Sequence, residues 1–80
     1  MWYVYIVLCE KDNSLYTGIT NDLTKRIKAH NDKKGARYTR TRTPVILLKS
    51  FAVKNKSEAL KLEYKIKKLS RKKKLELINE

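Results

Sequence analysis

Residues 2–9 read Trp-Tyr-Val-Tyr-Ile-Val-Leu-Cys, an unbroken run of aromatic, β-branched and other apolar side chains without polar alternation. Such a run marks a strand buried on both faces, or nearly so, and the rest of the chain must supply its cover. It is too short to span a bilayer and no cationic stretch precedes it, so it reads as neither a membrane span nor a signal peptide. Eighty residues make one domain, 1–80, with no room for a second core. Two Gly and one Pro argue against disorder and for regular elements joined by short loops. The single Cys9 lies within the apolar run, which rules out a disulfide framework and points to a reducing cytoplasm.

The remaining pattern orders the elements. Residues 10–14 form a polar turn, and Leu15 to Ile19 return as a second, antiparallel strand in which Gly18 marks a bulge or a close backbone approach. Thr20, Asn21 and Asp22 are candidate N-caps of a helix that turns Leu23 and Ile27 to the core and ends near His30. Residues 31–43 follow as a basic loop closed by Pro44, long enough in so small a domain to be functional. Val45 to Val53 form a third strand. Ser57 is the candidate cap of a second helix with Ala59, Leu62, Ile66 and Leu69 as its apolar stripe. Ser70 caps a third helix, 71–78, buried through Leu75 and Ile78. The order β-β-α-β-α-α predicts an α+β domain with helices flanking a small three-stranded sheet.

Charge narrows the function. Twenty Lys and Arg against eight Asp and Glu leave +12 on the chain, a self-repulsion best tolerated beside a polyanion. The alternatives are a merely solvated lysine-rich surface or an anionic lipid surface. The cations cluster: 25–42 holds eight against Asp32 alone, and 61–74 holds eight against Glu63 alone. The same repulsion favours a monomer in the absence of nucleic acid.

Within this setting a few side chains carry chemistry. Arg26 and His30 share a helix face at i, i+4 spacing. Arg26 is either an ion-pair partner of Asp22 or a fork for two phosphate oxygens. His30 is either a helix-end cap against the dipole or a proton donor and acceptor. Glu63 either pairs with Lys67 or holds a metal. Tyr5 and Tyr16 are good sheet formers, and a phenol is a poor base unless cations depress its pKa. Tyr38, Arg40 and Arg42, with Arg37 and Lys25 nearby, suit phosphate contacts and a stacked base, or simply a solvated loop. One Cys and one His exclude a structural zinc site, and two isolated Gly exclude a phosphate-cradling loop.

Tyr3-Val4-Tyr5, a ten-residue gap, Tyr16-Thr17-Gly18, then Arg26, His30 and a later helical Glu63 together resemble the GIY-YIG nuclease superfamily, which includes excision-repair, homing and restriction endonucleases. The likeness spans nearly the whole chain and is greatest to the small stand-alone bacterial branch. It implies a metal-dependent endonuclease of low sequence specificity, acting on DNA rather than RNA, in repair or recombination. Tyr5 or Tyr16 would activate water and Arg26 would stabilise the pentavalent phosphate. His30 would assist proton movement, Glu63 would bind one Mg²⁺ or Mn²⁺, and Gly18 would let the backbone run close to the site. Departures exist: Tyr3 replaces the first Gly of the signature, Thr17 its middle Ile, Ile19 a frequent Lys, and Leu75 stands near where many relatives place an Asn. Lys72 or Lys73 would then serve as the phosphate contact. These departures keep a second reading open, a non-catalytic nucleic-acid-binding module, and a third, an adaptor within a larger complex.

Overall fold

The structure, a computed structural model, describes residues 1–80. β1 (Trp2–Cys9) runs up the middle of a three-stranded antiparallel sheet, between β2 (Ser14–Thr20) and β3 (Val45–Val53). That central place is what the unbroken apolar run demands. Val4 and Ile6 point to one face and Tyr5, Val7 and Cys9 to the other, and all five are fully buried. The sheet therefore divides the interior into two clusters. Cover on both faces is what the unbroken apolar run requires.

α1 (Leu23–Asn31) packs Leu23 and Ile27 beside Tyr5, Val7, Cys9 and Val45. Across the sheet, α3 (Lys56–Lys67) sets Ala59 and Ile66 on Val4 and Ile6. α4 (Arg71–Ile78) adds Leu77 and Ile78 to that second cluster. The order is β-β-α-β-α-α as the patterning requires. One further helical turn, α2 (Arg37–Arg40), lies inside the long basic segment. At four residues it is too short to show a helical period, so it read as loop.

Caps fix where the helices start. Asp22 accepts from the Lys25 amide at 3.1 Å, and Ser70 accepts from the Lys73 amide at 3.3 Å. For α3 the cap is Asn55, which accepts from the Glu58 amide at 2.9 Å, not Ser57. Both side chains are competent, but Lys56 and Ser57 have nothing that opposes a helical backbone, so the earlier cap prevails. Leu69 accordingly falls beyond the end of α3. On α4 the inward face is Leu77 and Ile78, and Leu75 stays 37% exposed, because three apolar residues in four cannot all face one side of a helix.

The long segment is tied at its base. Asn31 Oδ1 accepts from the Val45 amide at 2.7 Å and its Nδ2 donates to the Val45 carbonyl at 3.2 Å. One side chain thus pins the end of α1 to the start of β3. Between Ile6 and Val7 the pairing with β3 shifts by a residue, Lys49 opposing Ile6 and Leu47 opposing Val7, so Leu48 bulges out. No helix is long and apolar enough to cross a membrane.

Candidate active site

The i, i+4 pair on α1 faces β1, and its two side chains converge on one phenol. Arg26 Nε donates to Tyr5 Oη at 3.3 Å, and Tyr5 Oη lies 2.8 Å from His30 Nε2. His30 Nδ1 lies 2.6 Å from Thr39 Oγ1 on α2, and Thr39 Oγ1 donates to the Ala36 carbonyl at 3.0 Å. A hydroxyl has a single proton, so the last contact sets the direction of the others. Thr39 accepts from His30 Nδ1–H, His30 Nε2 is left as an acceptor, and Tyr5 donates to it. The chain of donors runs Arg26, Tyr5, His30, Thr39, Ala36 carbonyl. Tyr5, His30 and Thr39 are each fully buried, so every member of the chain needs the partner it has.

Burial sets the protonation states. It pushes the Tyr5 phenol above its ordinary value, against the pull of the Arg26 hydrogen bond and charge. Burial, with Arg26 as a second cause, lowers His30 to about 4. His30 is therefore a neutral imidazole inside the molecule, not a cationic cap at a helix end. Arg26 is likewise no partner of Asp22, whose carboxylate is spent on the helix cap.

Both glycines are explained by space. Neither has positive φ. A Cβ on Gly18, which pairs with Tyr5 across the strands, would lie 2.5 Å from Tyr5 Oη and 2.7 Å from its Cζ. A Cβ on Gly35 would run into the His30 ring at Nδ1, with Cγ at 2.8 Å. Gly18 and Gly35 are thus the floor and wall against which the Tyr5–His30 pair is seated.

Tyr16 stands over this pair, its ring centroid 6.4 Å from Tyr5 and 5.6 Å from His30. Unlike Tyr5 it is only half-buried. Its outer face stacks on Tyr38 at 5.7 Å and 22°, and the Arg42 guanidinium lies 4.0 Å above the Tyr38 ring. Arg42 also donates through Nε to Asp12 at 2.9 Å and through Nη1 to the Tyr38 carbonyl at 2.8 Å. It clamps Tyr38 in place, and its Nη2 makes no hydrogen bond within the protein.

Glu63 on α3 is half-buried and close enough for its charge to raise the Tyr5 phenol. Its pairing with Lys67 is real, at 3.5 Å, and Lys67 Nζ lies 5.8 Å from the Tyr16 ring. Lys67 is half-exposed, so the pair is weak and can yield. An open pocket of about 250 Å³ adjoins Arg26 and includes Lys25. Arg37 and Arg40 are exposed on α2, and Lys72 and Lys73 on α4, with no ion pair among them. The structure brings Tyr5, Tyr16, Gly18, Arg26, His30 and Tyr38 together. Sequence reasoning did not single out Thr39 and Gly35 as part of this cluster; their only signal was a small and a hydroxyl residue within the segment after the histidine.

The sequence profile of the GIY-YIG catalytic domain matches residues 1–76. The chain belongs to the GIY-YIG family. This is a nuclease family, and its substrates are nucleic acids. GIY-YIG relatives include a UPF0213 protein of Staphylococcus haemolyticus, 55% identical over 98% of this chain and 94% of its own length. Another, from Clostridium perfringens, is 60% identical over 99% of this chain and 84% of its own. The solution structure of the UPF0213 protein of Bacillus halodurans superimposes with a TM-score of 0.62 at 50% identity, covering 99% of this chain and 84% of that one. The relatives are small stand-alone GIY-YIG proteins, so the α+β fold described above is the fold of the family.

Proposed function

We propose that this protein is a DNA endonuclease of low sequence specificity that hydrolyses a phosphodiester bond with one divalent metal ion. The observation that carries the reading is Arg26, held through Nε by a buried phenol so that its two terminal nitrogens remain free for phosphate oxygens. A guanidinium anchored in this way offsets charge as the phosphorane forms, with little to reorganise.

The phenols then divide the work. Tyr5 is fully buried with both partners in place, which makes it the residue that aims Arg26 and seats His30. Tyr16 is the half-exposed phenol, with Lys67 on one side and the Arg26–Tyr5 pair on the other, and it is the one that meets the attacking water. Neutral His30 below it keeps the polar chain uncharged across the neutral range. The donor set suits Mg²⁺ or Mn²⁺, since such an ion takes one or two carboxylates and fills its remaining positions with water and substrate phosphate oxygens. Glu63, whose charge already reaches Tyr5, is the carboxylate that would hold it. When bound, the ion supplies Lewis-acid stabilisation of the leaving oxygen.

The Glu63–Lys67 pair favours a second reading, a module that binds nucleic acid without cutting it, because a metal must displace the ammonium. Nicking of supercoiled plasmid in Mg²⁺ or Mn²⁺ separates the two. Loss of nicking in both Glu63→Gln and Arg26→Ala, with plasmid binding retained by the former, supports the nuclease. Binding without metal-dependent nicking by the wild type refutes it and leaves the module.

A further inference from the structure

The β1–β2 turn, the end of α1 and the segment after α2 meet around an open cavity of about 400 Å³ lined by Lys11, Lys33, Arg40, Thr41 and Thr43. No apolar side chain lines it. Glu10, Asp12 and Asp32 are adjacent in sequence to its cations, yet none of the three lines the cavity, and the two aspartates are engaged elsewhere. Asp12, next to Lys11, accepts from Arg42 Nε at 2.9 Å and from Ser14 Oγ at 2.6 Å. Asp32, next to Lys33, is bound to Lys28 Nζ at 2.8 Å. The cations of the cavity make no salt bridge, and the hydroxyls of Thr41 and Thr43 make no hydrogen bond within the protein. Lys33 moreover sits in the left-handed region, φ 63°, just past the end of α1, where glycine or asparagine is the easier occupant.

Three unneutralised cations and two free hydroxyls around one space match a tetrahedral oxyanion that offers several acceptors at once. The absence of an apolar wall argues against a small metabolite, which would be held largely by apolar contact. The cavity is also joined to the candidate active site by a single helical turn. Arg40 on its rim is two residues from Tyr38, which stacks on Tyr16, and Thr39 between them is bonded to His30.

We propose that this cavity grips a phosphodiester group of the bound nucleic-acid strand, one away from the bond at Arg26, so that the strand is held at two points with Tyr38 between them. The placement relative to the cut bond rests on the nuclease reading; the binding itself does not.

The test is binding of a fluorescein-labelled oligothymidylate and of a short DNA duplex by anisotropy, in EDTA, across a range of salt. A variant carrying Lys11→Ala, Lys33→Gly and Arg40→Ala is compared with an equally discharged control carrying Lys54→Ala, Lys61→Ala and Lys65→Ala. Glycine at 33 suits the left-handed backbone, and circular dichroism checks that both variants fold. The cavity variant is expected to bind about tenfold more weakly, with a salt slope shallower by about one, while the control loses about twofold. In the wild type, the amides of Lys33, Arg40, Thr41 and Thr43 should shift in ¹⁵N–¹H spectra on adding oligonucleotide. Equal weakening in both variants overturns the proposal, as do shifts with inorganic phosphate but none with oligonucleotide. Cavity-dependent binding in a wild type that does not nick plasmid leaves the proposal standing and removes the nuclease reading instead.

Discussion

Acid should unfold this protein by way of His30. The imidazole is completely buried, and burial with the Arg26 charge lowers it to about 4, against about 6.5 in an unfolded chain. With the folded value depressed, the native state takes up fewer protons than the unfolded state between those two values. Its contribution is fully present above pH 6.5 and is lost as pH falls toward 4. The slope is about 1.4 kcal/mol per pH unit, and the loss amounts to about 3 kcal/mol over the window. For a domain of this size that is a large share of a total stability of about 5 kcal/mol. Urea unfolding at pH 7, 6, 5 and 4 by circular dichroism measures it, with His30→Gln as the partner that cannot titrate there. Asp12 and Asp32 are also held low, by Ser14 and Lys28 respectively, and their losses set in as pH falls through the ordinary carboxylate value, at the acid end of this window. The wild type should therefore slope steeply from pH 6 to 5 where His30→Gln is flat. An imidazole midpoint between 6 and 7 in the folded protein, read by NMR, would refute the reasoning, because Nε2 could then accept a proton without cost to the hydrogen bond that Tyr5 donates to it.

Two substitutions probe the same site from other sides, and a third probes the opposite face of the sheet. Thr39→Val leaves His30 Nδ1–H buried without an acceptor and should cost about 1–3 kcal/mol in urea unfolding; it should cut plasmid nicking and weaken oligonucleotide binding together, and Thr39→Ser should restore both. Gly18→Ala places a methyl 2.5 Å from Tyr5 Oη, so the ring must move off His30. A loss of about 1–3 kcal/mol is expected, and the His30 ring signals should shift. Thr17→Val acts in the opposite sense. The Thr17 hydroxyl is buried among apolar residues with no hydrogen-bond partner, and its removal should stabilise by about 1 kcal/mol, raising Tm by about 4–8 °C. An unchanged or lower Tm would mean that the hydroxyl has a partner after all, such as a bound water.

Physical periodicity decided what was legible in the sequence. β1 was plain because an apolar run without alternation has one structural use in a short chain. α1 was plain because Leu23 and Ile27 repeat at four residues behind a run of cap candidates. α3 began two residues early because Asn55 and Ser57 both cap, and sequence offers no way to rank two competent caps so close together. α4 turned Leu77 inward rather than Leu75 because spacing alone fits 74, 77 and 78 as well as it fits 75 and 78. Lys74 is half-buried in the structure, although a binary reading scores it as polar. The site followed the same logic. Arg26 and His30 were legible as one helix face through their spacing and Tyr5 through the resemblance to the GIY-YIG family, whereas Thr39 was hidden, since a threonine that accepts from a buried imidazole has the same letter as one in solvent. Arg42 was legible only as a cation, and its clamp on Tyr38 and Asp12 depends on a turn thirty residues away.

The short turn α2 explains why so basic a segment is structured at all. Four residues cannot hold a helix by their own hydrogen bonds, because nucleation is unfavourable at that length. Thr39 supplies the fixing contact inward, to His30, and Asn31 holds the base of the segment to β3. On the outer side Tyr38 is stacked between Tyr16 and the Arg42 guanidinium, and Arg42 is itself tied to the β1–β2 turn through Asp12. Two of the three attachments, through Thr39 and through Tyr38, use a residue that the site also contains. Order in the segment and assembly of the site are consequently one event: whatever releases Thr39 from His30 frees the imidazole to rotate, unseats Tyr5 and lets Arg26 swing away from its anchor. The chain has few apolar residues with which to hold its polar site rigid, and it does so by making the basic segment close the same network that anchors the arginine.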